Sequence, residues 1–316
     1  MIDEAGYCRM PRDIAKTVSD GVEFLNTNTA GRRVKFKTDS NRIAIMIKMK
    51  NIGKMPHFAY TGSKGLDFYY KQNGIEKYGG SFIPNIEIED GFGSYQYFEN
   101  DGISEITLNL PLYSGVTELL IGVNEKSVIE KADEYSIVKP VVFYGSSITQ
   151  GGCASRPETT YQSFLSQEFD FDFINLGFAG CAKGEDEMID YIASLDMSFF
   201  VLDYDHNAPT SEHLKNTHEK AFCKIRSAHP DIPIIIMPRP KYYPSEEEKL
   251  NAEIVKATYE NAIRSGDKNV YFVPADKLMA LAVDNGTVDN VHPTDFGFYS
   301  IAQALKDIFS MIFNIK

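Results

Sequence analysis

An all-β half followed by an α/β half is the architecture this 316-residue sequence predicts. The main observation is a change of period near residue 136. Before it, short runs alternate apolar and polar residues, the two-residue period of a half-buried strand. After it, compact apolar runs alternate with stretches of helical period, the pattern of a parallel sheet covered on both faces. Turn signals support the division, because they are dense in the first half. The fold class is therefore α/β: a three-layer α/β/α unit with a five-stranded parallel sheet over 136–316, preceded by a jelly-roll-like β-sandwich over 1–135.

In the first half, Val34-Lys35-Phe36-Lys37 alternates. Ile43, Ile45, Ile47 and Met49 keep one apolar face, and Ile106, Leu108 and Leu110 another. Thr38-Asp39-Ser40-Asn41, Gln72-Asn73-Gly74, Asp90-Gly91 and Asn100-Asp101-Gly102 separate these runs. No long amphipathic helix is evident there, and 124–139, charged and weakly patterned, reads as a linker. The aromatics Tyr60, Phe68, Tyr69, Tyr70, Tyr78, Phe82, Tyr95, Tyr97 and Phe98 fill a sandwich core or form a sugar-stacking face. The core is the simpler reading, since the chain has no tryptophan.

In the second half, apolar runs at 141–144, 171–176, 199–202, 232–237 and 270–273 predict five strands, with helices at 212–228 and 245–265. Phe298, Ile301, Ala302, Leu305, Ile308, Phe309 and Ile312 mark one face of a final helix. Thr294 is its expected N-cap, with Asp295 suited to the first turn.

Composition bounds the partners. A formal charge of −12 with no offsetting basic block argues against nucleic acid and favours a neutral small-molecule or oligosaccharide substrate. Cys8, Cys153, Cys181 and Cys223 form no Cys-x-x-Cys pair and are expected as free thiols. Cys153 and Cys181 flank the motifs described next. The acidic start Met1-Ile2-Asp3-Glu4-Ala5-Gly6 lacks the basic and apolar regions of a signal peptide. No apolar run approaches the ~20 residues of a membrane span. The expectation is a cytoplasmic protein with no membrane partner, in which homo-oligomers are possible.

The chemistry concentrates in two segments. Gly145-Ser146-Ser147-Ile148-Thr149-Gln150-Gly151 follows a buried-strand pattern and places a hydroxyl where open α/β sheets bind ligands. Asp289-Asn290-Val291-His292-Pro293 carries a carboxylate and an imidazole three residues apart. Taken singly, Ser147 reads as a helix cap, Asp289 as a turn residue and His292 as a surface residue. Together they give the order Ser, Asp, His of a hydrolase triad. Ser147 needs a base to attack an ester, His292 can accept the proton, and Asp289 can hold the imidazole in the required tautomer.

These segments resemble the SGNH, or GDSL-type, hydrolases. Gly145-Ser146-Ser147-Ile148-Thr149 is similar to the family's nucleophile block, with Ser146 where the family usually has Asp. Asn175-Leu176-Gly177-Phe178-Ala179-Gly180 is similar to the second block, and Gly180 falls on its oxyanion-donor position. Asp203-Tyr204-Asp205-His206-Asn207 lies where the third block supplies an asparagine donor. Asn207 is the match, although the usual glycine is absent and Ala208 follows, so Asp205 or His206 is the alternative facing the site. Gly65-Leu66-Asp67-Phe68-Tyr69 resembles a short motif of SGNH esterases that carry an N-terminal β-domain. The resemblance implies catalysis by Ser147, His292 and Asp289, an oxyanion hole from Ser147, Gly180 and Asn207, and no cofactor. It also implies a serine esterase acting on short-chain esters, above all O-acetyl groups on carbohydrates. The alternatives are a lysophospholipase or thioesterase for longer acyl chains, and a catalytically silent glycan-binding protein.

A rival cluster, Asp203, Asp205, His206, His213 and His218, has metal-ligand chemistry. His213 and His218, five apart on a predicted helix, face apart and argue against one shared ion, so no metal is expected. Arg156 reads as a structural ion-pair residue rather than a substrate contact, and His57 and His229 as loop residues.

Overall fold

In the computed structural model, residues 2–3 and 6–314 are described; part of the acidic start lies outside them. Five strands form the parallel sheet, in the order Phe171–Gly177, Ile137–Gly145, Phe199–Asp203, Ile234–Ile236, Val270–Phe272. The first strand in sequence thus lies second in space. Connections leave its two sides in opposite directions, which opens a crevice at the carboxyl ends of the strands. Helices cover both faces. Phe143, Val201, Ile235, Phe298, Ile301, Leu305 and Phe309 pack on one side, and Val142, Tyr144, Leu202, Leu214, Phe222 and Ile236 on the other.

The predicted helices form with modest shifts of boundary. Ser245 and Glu248 make a capping box at the start of Glu246–Arg264. Thr294 accepts a hydrogen bond from the Gly297 N–H at the start of Asp295–Phe313. Asp295 then reaches beyond its own helix, accepting from the Ser155 N–H at 2.7 Å, the Ser155 hydroxyl and the Thr159 hydroxyl.

The β half consists mainly of two antiparallel sheets, one of five strands and one of three. Ile43, Ile45 and Ile47 from the smaller sheet meet Phe68, Ile106 and Leu108 from the larger. Phe68, Tyr70 and Phe82 lie in this core, as the simpler reading of the aromatics expects, whereas Tyr78, Tyr95 and Tyr97 are exposed.

Two differences from the sequence reading stand out. The first thirty residues are not all β: Arg12–Val18 and Asp20–Leu25 are helices. Their buried Ala15 and Val22 join the core beneath the parallel sheet, so this pair of helices packs on the α/β half. Each helix is about two turns long, too short for a periodic apolar face to show in sequence. The segment read as a linker also carries structure. Glu130–Lys131 pairs with the Arg33–Thr38 strand, and Ile137–Gly145 begins before the predicted apolar run.

The two halves are tied beside the nucleophile segment. Buried Asp67 accepts from Arg156 Nη1 at 3.1 Å and from the Asn109 amide at 3.0 Å. The Tyr78 ring lies 4.4 Å from the Arg156 guanidinium carbon. Arg156 thus forms the structural ion pair expected of it. Its replacement by Ala strips the buried Asp67 of its counter-charge; because burial already pushes that carboxyl up to about 7, it can take up a proton instead. The predicted cost is about 1–2 kcal/mol, below the roughly 3–5 kcal/mol of a fully ionised buried pair. Urea unfolding of wild type and Arg156→Ala measures it; a difference below about 0.5 kcal/mol, the scale of an exposed pair, contradicts this role.

Candidate active site

Gly145, Gly177 and Asp203 stand in register at the ends of three neighbouring strands. Ser147, Gly180 and Asn207 follow them by a few residues each, so the three enter the same crevice from adjacent loops. The turn after Gly145 is tight. Ser146 caps the short helix Ser147–Gln150 by accepting from the Ile148 N–H at 3.2 Å. The capping role that Ser147 could have filled is therefore taken by its neighbour, and the Ser147 hydroxyl is left for other chemistry.

That hydroxyl lies 3.0 Å from Nε2 of His292. Nδ1 of the same ring lies 2.8 Å from Asp289 Oδ2. Asp289 Oδ1 accepts from the N–H groups of Val291 and His292 at 3.1 and 2.7 Å. Asp289 is thus both a turn residue and the partner of the imidazole: one oxygen folds the loop and the other orients the ring. The loop is closed by pairing of Thr287 with Pro293, with Asn290 in the left-handed region at φ 68°. Desolvation pushes the Asp289 carboxyl up, but hydrogen bonds and charge from His292, with the Val291 N–H, outweigh it and bring it down to about 2.

The backbone N–H groups of Ser147 and Gly180 have no protein acceptor among the described residues. Gly180 adopts φ 68°, and the space where its Cβ would lie is open. The Asn207 amide donates to the Phe178 carbonyl at 2.9 Å, which uses one of its two hydrogens and anchors it to the Gly180 loop. The fold brings Ser147, His292 and Asp289 into one chain of contacts and ties Asn207 to the loop that carries Gly180, on the strand ends next to Ser147.

Of the alternatives at the third block, Asp205 lies deeper than Asn207 and His206 is half-buried like it. Asp205 is buried, with Oδ1 unpartnered and its carboxyl pushed up to about 6 by burial. Burial, then the charges of Arg239 and His292, bring His206 down to about 4, so its ring is neutral at neutral pH. Both line a polar cavity of about 260 Å³ together with Arg239, Lys241, Glu248 and Asn251.

The rival metal cluster does not assemble. His218 is buried, hydrogen-bonded to Thr258 and stacked on Tyr204, while His213 bonds the Lys183 carbonyl. Asp203 accepts from the Thr149 hydroxyl. All four cysteines are free, as expected, Cys153 and Cys181 included.

Several supporting residues were missed. Arg9, buried and brought down to about 9 by that burial, donates to the Gly177 carbonyl and lies 4.2 Å from the Phe178 ring. Gln150 accepts from the Ala179 N–H at 3.0 Å, and Asn175 donates to the Thr149 carbonyl at 2.7 Å. The Tyr113 hydroxyl donates to the Ser147 carbonyl at 3.1 Å. Nothing in local sequence marks Arg9 or Tyr113, because each acts across the fold. Asn175 stood inside the second block and Gln150 directly after the nucleophile block, and their polarity beside apolar strand residues was the available signal. His57, read as a loop residue, has its ring centroid 5.8 Å from that of His292.

The depressed Asp289 carboxyl has a defined sign. Its contribution to the folded loop is present above the unfolded value near 3.9 and is lost as pH falls through about 2. A carboxyl-carbon NMR titration should find the Asp289 midpoint near 2 in wild type and a rise toward the ordinary range in His292→Ala. A wild-type midpoint near 4 contradicts the arrangement.

The family model described as GDSL-like Lipase/Acylhydrolase family matches residues 138–310, and the one described as N-terminus of Esterase_SGNH_hydro-type matches residues 2–129. Among solved structures, a candidate GDSL-like lipase from Bacteroides ovatus is 30% identical. That match covers 99% of this chain and 94% of the other, with a TM-score of 0.89. A salicylyl-acyltransferase, SsfX3, from a tetracycline biosynthetic pathway is 17% identical over 98% of this chain and 90% of its own, with a TM-score of 0.76. A family two carbohydrate esterase from Clostridium thermocellum, in complex with cellohexaose, is 13% identical over 91% of this chain and 94% of its own, with a TM-score of 0.64. At these identities the last two show a shared fold. No curated protein matches the sequence. With its α/β half and its β half each matched, the chain is an esterase or acylhydrolase of the GDSL-like lipase/acylhydrolase family, with the N-terminal region of SGNH-type esterases.

Proposed function

We propose that the protein hydrolyses short-chain carboxylic esters, above all O-acetyl groups on carbohydrates, through an acyl-enzyme on Ser147. The observation that carries the chemistry is the chain of contacts from Ser147 Oγ to His292 Nε2 and from His292 Nδ1 to Asp289. As Ser147 Oγ bonds to the ester carbonyl carbon, its proton passes to Nε2. Asp289, ionised at any working pH, holds the ring and stabilises the imidazolium that forms. The carbonyl oxygen becomes an oxyanion, met by the unpaired N–H groups of Ser147 and Gly180 and the second amide hydrogen of Asn207. His292 returns the proton to the leaving alcohol. Water, activated by the same imidazole, then releases the acid.

The substrate class rests on the polar cavity lined by Asp205 and His206, the two residues just before Asn207. Its side chains suit a hydroxyl-rich leaving group better than an acyl tail. His206, which lines the cavity, stands on the same short turn as Asn207. The cellohexaose-bound esterase of the same fold points to sugars as well. Among the described residues no helix is long and apolar enough to cross a membrane. We place the protein in the cytoplasm, acting on oligosaccharide or smaller esters.

A p-nitrophenyl ester series and a panel of acetylated oligosaccharides test the reading. Acetate is expected to turn over fastest, with a decline toward octanoate. Ser147→Ala, checked for folding, should lose about 10⁴-fold or more. Acetate release from acetylated sugars supports the carbohydrate assignment. A rate maximum at long chains shifts the function to lysophospholipid or thioester substrates, and glycan binding without turnover shifts it to a binding protein.

A further inference from the structure

The imidazole that faces Ser147 has two neighbours for which ester hydrolysis has no use. His57, exposed on the loop before the short helix Tyr60–Ser63, brings its ring to 5.8 Å from that of His292. Cys153 is buried on the other segment that borders the ring. A β-carbon on the preceding residue, Gly152, would lie 3.0 Å from His292 Cδ2, so this stretch of backbone lies close to the ring. One ligand atom from each of His57, Cys153 and His292 falls within 4.8 Å of the other two. Cys153 also holds φ 72°, a left-handed conformation that a residue with a β-carbon adopts only where its surroundings impose it.

We propose that His57, Cys153 and His292 form a site for a thiophilic divalent cation, Zn²⁺ foremost, whose occupation switches the esterase off. One thiol and two imidazoles are a soft, nitrogen-rich donor set of the kind that selects zinc over calcium or magnesium. Tetrahedral zinc holds such donors about 3.3–3.6 Å apart, so the trio must close by roughly 1 Å. The exposed His57 side chain is free to supply that movement. His292 is prepared for the role: Asp289 occupies its Nδ1, which leaves Nε2 as the donor and gives the carboxylate–imidazole–metal arrangement common to zinc sites. The Cys153 thiol, pushed up to about 12 by burial and then by the charge of Asp289, stays protonated in the free protein. On binding, a sulfur–zinc bond replaces the sulfur–hydrogen bond and the proton leaves to solvent. Three protein ligands leave a fourth position for water.

The inhibitory consequence rests on His292 acting as the base. Once Nε2 carries a metal, it can no longer accept the Ser147 proton. Binding itself does not rest on that role, so the two parts are tested apart. In calorimetric titration of chelator-treated Ser147→Ala with ZnCl₂, one ion should bind per chain. His57→Ala and Cys153→Ala, each added to that background, should weaken binding roughly tenfold or more. Co²⁺ as a probe should give a sulfur-to-metal charge-transfer band that Cys153→Ala abolishes. In wild type, ZnCl₂ at one equivalent is expected to cut p-nitrophenyl acetate hydrolysis roughly tenfold or more, reversibly with chelator. His57→Ala should keep the zinc-free rate and need roughly tenfold more zinc for the same loss. Absence of one-to-one binding, or binding that neither substitution alters, overturns the site. Binding at the trio with hydrolysis unchanged overturns the switch.

Discussion

The close approach of the nucleophile turn to the ends of the parallel strands is the constraint on which the rest of the molecule depends. A β-carbon at Gly145 would lie 2.2 Å from both the Asp203 carbonyl oxygen and the Thr149 hydroxyl. One at Gly177 would lie 2.2 Å from the Gln150 nitrogen. Only glycine lets the short helix Ser147–Gln150 sit this low on the sheet. Because it sits there, Thr149 reaches Asp203, Gln150 reaches the Gly180 loop, and Ser147 stands at the height of an imidazole delivered from the far end of the chain.

The same compression explains the polar interior beneath the site. Turns at the strand ends leave carbonyl and N–H groups that cannot pair within the sheet, and buried polar groups need partners. Arg9, Asn175, Gln162 and Tyr113 supply them. Two of these four come from residues before 136, and Asp67 joins them through Arg156. The β half and the first thirty residues therefore help to hold the hydrolase loops, which fits the match of one family model to that region.

Most of the fold was legible because period is local. Strands such as Arg42–Lys50 and helices such as Asp295–Phe313 declare themselves over many residues. The two short helices near the N-terminus were not legible, since a helix of two turns carries too few apolar positions to distinguish its period. Ser147, Asp289 and His292 were legible as residue types in a recognisable order, and the structure adds the assignment of each atom. Ser146 takes the cap, and the two Asp289 oxygens divide between loop and ring. His57 and Cys153 were illegible as a pair, because only the folded chain brings residues so far apart in sequence to the same imidazole. Asn207 lacked its flanking glycine, and its place emerged from the bond to Phe178.

The central claim is that Ser147, activated by His292, is the nucleophile. The most direct measurement is stoichiometric labelling with a small alkyl fluorophosphonate, read by intact-mass and peptide mass spectrometry. The account predicts one adduct per chain, located on Ser147, absent in Ser147→Ala and formed far more slowly in His292→Ala. An adduct on another residue, or labelling of Ser147 at the same rate without His292, would contradict it.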